Sequence, residues 1–135
     1  MSIGIDVTPV YFFQSASNGL VKVGFSKQVE QRRLTLERQT GGALTLLATD
    51  LGGREYEQFL HRMMAEFREH GEWFRPNALT DAYAAYGRAR QEGQEDAILA
   101  ASDHITHLLM NPALIQEAPI TRELIDDAMA AAAVS

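Results

Sequence analysis

The sequence predicts an α+β fold: a small three-stranded antiparallel sheet in the order β-β-α-β-α, flanked by helices and followed by a C-terminal helical extension. Three observations carry that expectation. Ser17-Asn18-Gly19 is a strong turn signal between two segments rich in β-branched and aromatic residues, which marks a hairpin. Arg54 to Glu69 places Tyr56, Phe59, Leu60, Met63, Met64 and Phe67 at i, i+3, i+4, i+7, i+8 and i+11, the spacing of one buried helical stripe. Beyond residue 77 the chain becomes alanine-rich and acidic, with helix stops at Gly93 and at Asn111-Pro112.

The elements follow in order. Val10 to Ser15 and Leu20 to Ser26 form the hairpin strands. Alternation in the second puts Val21, Val23 and Phe25 on one face and Lys22, Gly24 and Ser26 on the other. A hairpin loop of two or four residues sets Tyr11 and Phe13 on the Lys22 face, opposite Ser26 and Gly24 or opposite Gly24 and Lys22 respectively. The segment KQVEQRRLTLERQ reads as a helix capped by Ser26 and ended by Gly41-Gly42. Leu44 to Thr49 supplies the third strand. On the helix from Arg54 to Glu69, Glu57 and His61 lie roughly 90 to 130° from the middle of the stripe, where core meets solvent. Trp73 and Phe74 read as core plugs after that helix. Helices over Ala78 to Gln91 and Glu95 to Met110 follow, and a last one is capped by Thr121 with Ile120 and Ile125 as a hydrophobic staple.

With 135 residues and 46% hydrophobic content, the chain can bury one compact core. We divide it into a domain over residues 1–85 and an acidic helical extension over 86–135. The absence of cysteine excludes disulfides and thiolate metal sites. With no run of eighteen apolar residues and no signal peptide, the expectation is a soluble cytoplasmic protein without a membrane partner. A net charge of −6 argues at first against a nucleic-acid partner, but its distribution reverses that. Residues 1–76 hold nine basic and nine acidic residues, whereas residues 77–135 hold three basic and nine acidic ones. The first part is therefore free to present a local basic face.

Five short motifs in order within Pro9 to Pro76 then align with one family. They are Pro9-Val10-Tyr11, Lys22-Val23-Gly24, the arginine of VEQRR, EQFLHRMMAEF and GEWF. Over this half of the chain the sequence resembles the GIY-YIG endonuclease superfamily, in particular its phage- and bacteria-associated branch with KIG and GEWF motifs. The resemblance implies hydrolysis of a DNA phosphodiester by a Mg²⁺- or Mn²⁺-dependent endonuclease of phage or mobile-element type. It implies roles for Tyr11 as the first-motif tyrosine, Lys22 at the second-motif position, Arg32 as the helix arginine and Glu57 as the metal-holding glutamate. Pro9 stands where the first motif has glycine, and Leu36 stands where some members carry a histidine. His61, one turn beyond Glu57, is placed to take over part of that work as a proton shuttle or phosphate ligand.

These assignments suit the chemistry. A single carboxylate with several waters suits Mg²⁺, an arginine grips phosphate oxygens, and a phenol needs nearby cations before it can help to activate water. Each residue also has an ordinary reading: a packed strand tyrosine, an edge lysine, a solvated helix arginine, and surface residues beside a core stripe. The alternative function is a nuclease scaffold with weakened chemistry, serving as a DNA-binding or protein-binding regulatory module. The acidic C-terminal helices offer a surface for a protein partner or for self-association.

Overall fold

The computed structural model describes residues 6–133. The hairpin is formed by β1 (Pro9–Ser15) and β2 (Val21–Phe25), and α1 (Val29–Thr40) leads to β3 (Leu44–Leu51). After α2 (Gly53–Met63) and a 3₁₀ turn at Ala65–Phe67 come two short strands, β4 (Arg68–His70) and β5 (Trp73–Phe74). The helices α3 (Ala78–Glu92), α4 (Glu95–Met110) and α5 (Thr121–Ala133) complete the chain. The fold is α+β, as expected, but among the described residues the antiparallel sheet has five strands and not three, in the order β3-β1-β2-β5-β4.

The two added strands replace the end of the expected second helix. That helix stops at Met63 rather than Glu69, because Trp73 and Phe74 pair with Lys22 and Val21 and draw the preceding residues into a hairpin. Phe74 is fully buried, so this pairing seats a large apolar side chain in the core.

The β1–β2 register is Tyr11 with Gly24 and Phe13 with Lys22, which is the four-residue-loop alternative. Alternation then divides the sheet into two faces. Val10, Phe12, Val21, Val23 and Phe74 pack against Leu60 of α2, against Met64 just after it and against α3. Tyr11, Phe13 and Leu44 pack on the other face with Leu36 and Val29 of α1 and with Trp73.

Two expected caps are made differently. Ser26 Oγ accepts from the Gln28 amide at 3.0 Å in the turn before α1, which starts at Val29. Thr121 is the first residue of α5 and its hydroxyl donates to the Ala118 carbonyl. The expected staple is not formed: Ile120 is 58% exposed while Ile125 is buried. The best-made cap is at α3, where Asn77 accepts from the Leu79 and Thr80 amides and Thr80 accepts from the Asn77 amide.

The boundary expected after residue 85 falls inside α3. One continuous hydrophobic cluster joins the sheet to Tyr83 and Ala84 of α3, Leu108 of α4 and Ile125 of α5. No helix of the described residues is long and apolar enough to cross a membrane.

Asp81, on α3, has a carboxyl pushed up to about 7 by burial, against the opposing pull of the Thr121 and Thr80 hydroxyls. Its folded value lies above its unfolded one, so its stabilising contribution is present in acid and lost as pH rises through about 7. Asp81→Asn is therefore expected to raise the melting temperature at about pH 8, and to change it much less at about pH 4.5. Thermal melts at the two pH values check this, and an equal shift at both would contradict it.

Candidate active site

The sheet face under α1 places Tyr11, Lys22 and Gly24 together, because residues of adjacent strands facing the same way are cross-strand neighbours. Tyr11 is 1% exposed and stacks on Phe13 with ring centroids 4.1 Å apart. Gly24 lies directly under its ring: a Cβ there would come within 2.3 Å of the Tyr11 hydroxyl oxygen. Glycine at this position therefore answers to the close approach of the tyrosine ring. Burial raises the Tyr11 phenol above its ordinary value, and hydrogen bonding and charge from Arg32 offset only part of that.

The two arginines of VEQRR divide the work. Arg33 pairs with Glu30 and Glu37 along α1 and ties the helix to β3 by donating to the Leu44 carbonyl. The half-buried Arg32 is turned toward Tyr11. Leu36, one turn further along, closes the apolar patch beside Tyr11 and Phe13.

Glu57 and His61 reach this face around the β2 edge. β5 pairs with β2 only at Val21 and Lys22, which leaves the next peptide group for other partners. The Val23 amide donates to the Glu72 carbonyl at 3.1 Å, and the Val23 carbonyl accepts from His61 Nε2 at 2.8 Å. Both bonds stand where a longer β5 would have continued the ladder. They bring α2 against the edge, so that Glu57 lies within electrostatic reach of Lys22 and Tyr11.

Glu57 is 7% exposed, and its carboxyl is raised, first by burial and then by the negative charge of Glu72; Lys22 and Arg54 pull it down. The His61 imidazole is lowered by burial, with the Val23 carbonyl bond and Glu72 opposing. Its bond to a carbonyl fixes the proton on Nε2 in the neutral ring, so Nδ1 presents a lone pair 3.8 Å from Glu57 Oε1. Two acceptors facing one another at that distance call for a shared proton, a water or a cation between them.

Lys22, 7% exposed, has its ammonium 3.2 Å from Glu72 Oε2 and 5.3 Å from the centre of the Trp73 ring. Glu72 is the residue sequence reasoning missed. Its charge acts on Tyr11, Glu57 and His61 as well as on Lys22. The available signal was its place in GEWF: in a strand-forming hairpin, the residue before Trp73 sits at the turn facing whatever Trp73 pairs with, which is Lys22.

Of the expected residues, Glu57 interacts with Tyr11, Lys22 and His61, whereas Arg32 interacts with Tyr11, which is itself 1% exposed. Among the described residues no group of three or more His, Asp or Glu side chains is arranged to hold a metal ion. The fold and this edge cluster define an α+β protein with a mixed-charge site of phenol, ammonium, guanidinium, imidazole and two carboxylates. No family model, curated protein or solved structure matches the chain.

Proposed function

We propose that the chain is a GIY-YIG-type nuclease that hydrolyses DNA phosphodiesters with Mg²⁺ or Mn²⁺ at the β2 edge. The observation that carries this reading is the chain of interactions linking Arg32 of α1, Tyr11 of β1, Lys22 of β2, and Glu57 and His61 of α2. Zinc, which draws three or four protein ligands, fits this donor set poorly. Hydrated Mg²⁺, which needs only one or two carboxylates, fits Glu57 with Glu72 nearby. A divalent ion held there would supply charge neutralisation at the phosphate.

The chain's own residues supply the rest. Arg32 grips the phosphate and offsets the charge growing on its oxygens. Exposed Arg54 and Arg68, whose charges reach Glu57 and His61, form a cationic rim. Nδ1 of neutral His61 is the free lone pair that takes a proton from the attacking water, with Nε2 anchored on Val23. Tyr11, whose phenol is raised by burial, orients Arg32 and does not act as a base. Lys22 contributes its charge once a phosphate competes with Glu72 for it.

That competition also favours the second reading, a DNA-binding module with weakened chemistry, because Lys22 is already paired and Tyr11 is enclosed. Incubation of supercoiled plasmid with Mg²⁺ or Mn²⁺ separates the two. The nuclease reading expects nicked or linear product that a chelator abolishes. Salt-sensitive binding without cleavage under either metal would favour the module. In the absence of divalent ions, Glu72→Gln is expected to tighten DNA binding by about two- to fivefold by freeing Lys22, as read by fluorescence anisotropy. Unchanged or weaker binding would contradict the competition.

A further inference from the structure

We propose that Trp73 and Lys22 form a nucleotide subsite at the β2 edge, with the indole stacking on an unpaired base and the ammonium meeting its phosphate, so that the DNA taken there is single-stranded or locally unpaired. The subsite rests on the nuclease reading and names the form of DNA that this reading leaves open. Of the two residues expected to plug the core, Phe74 is fully buried, whereas Trp73 keeps part of its surface exposed. An indole that stays partly in water beside a charged site has apolar area still to cover.

Strand register sets the pair. Phe13 pairs with Lys22, Lys22 with Trp73 and Trp73 with His70, so these four residues make one row across the sheet, from a buried ring at Phe13 to an exposed one at His70. The Lys22 ammonium lies 5.3 Å from the centre of the Trp73 ring, and Glu72, the carboxylate that holds it, is the residue just before Trp73. A cation next to an aromatic ring is the combination that binds single strands, where the ring takes a base and the cation its backbone. In a duplex both faces of each base are already covered by its neighbours, so the same ring selects a base that is unpaired or drawn out of the stack.

The chain has a single tryptophan, so its intrinsic fluorescence reports on Trp73 alone. The full chain is titrated without divalent ions, with oligothymidylate and with a duplex of equal length. The single strand is expected to quench saturably and, by fluorescence anisotropy, to bind about tenfold more tightly than the duplex. Folded Trp73→Leu, which keeps an apolar side chain in place, should weaken the single strand about tenfold and leave the duplex unchanged, while Trp73→Phe keeps most of the preference. A residue that only packs would lower the melting temperature and leave that preference intact. The proposal is overturned if oligothymidylate does not quench, if the duplex binds as tightly, or if folded Trp73→Leu keeps the full preference. Plasmid cleavage with Mg²⁺ or Mn²⁺ is a separate readout: cleavage without quenching removes the stacking subsite and leaves the nuclease, whereas quenching without cleavage does the reverse.

Discussion

Replacement of Glu57 by glutamine is expected to lower DNA cleavage by about 10²- to 10³-fold while leaving the protein as stable as before or slightly more so. The first half of that expectation follows from the role proposed for the carboxylate. Glutamine keeps the size and the buried setting of the side chain but removes the negative charge that a hydrated divalent ion requires. The second half follows from the folded-state shift. The Glu57 carboxyl is raised by burial and by Glu72, so its ionised form is held at a disadvantage in the fold, which the neutral amide removes. A residue placed for packing alone would show the opposite pattern, with stability lost and chemistry spared. Cleavage rates and thermal melts of the two proteins at about pH 7.5 check both halves together. Loss of activity that merely tracks loss of fold would contradict the assignment.

The second large effect concerns Gly24. Gly24→Ala would set a methyl carbon 2.3 Å from the Tyr11 hydroxyl oxygen and 2.5 Å from Cζ of the same ring. The far end of a flexible side chain could swing away, but this ring is stacked on Phe13 and enclosed. Tyr11 must therefore shift with its neighbours, at an overpacking cost of about 1–3 kcal/mol. Because Arg32 is turned toward the phenol, the same shift misplaces the guanidinium, so cleavage should fall beyond what the stability change explains. A double variant separates the two effects. In a Tyr11→Leu background, Gly24→Ala should cost much less stability than in the parent, since the clashing ring is gone, while activity stays lost. Denaturant melts and plasmid cleavage across the cycle read the coupling, and strictly additive stability effects would contradict the contact.

Much of this site was legible because it rests on strand periodicity. Alternation alone put Lys22 and Gly24 on one face, and an even-numbered hairpin loop put Tyr11 and Phe13 beside them, as the register bears out. The helix α4 runs over Glu95–Met110, as its spacing and the Asn111-Pro112 stop suggested. What was not legible depends on contacts far apart in sequence. Ala65, Glu66, Arg68 and Glu69 are acceptable helix residues, and Phe67 continues the helical stripe, so nothing local announces that α2 ends at Met63. The end is imposed by Trp73 and Phe74 pairing with β2, a tertiary contact that overrides local preference. Glu72 stayed hidden for the same reason, since its meeting with Lys22 exists only once that pairing is made. Thr121 and Ser26 were read as caps because hydroxyls precede helices there, but the first helical residue is displaced by one or two positions, which hydroxyl chemistry alone does not fix.

The central claim is that Glu57 and His61 face a cation site shared with Lys22 and Tyr11 at the β2 edge. Paramagnetic line broadening by Mn²⁺ in nuclear magnetic resonance spectra tests it without relying on turnover. The expected result is early, selective broadening of the His61 ring and of backbone signals around Glu57, Glu72 and Val23, abolished in Glu57→Gln. Broadening confined to the acidic helices after residue 77, or unchanged by Glu57→Gln, would contradict the claim.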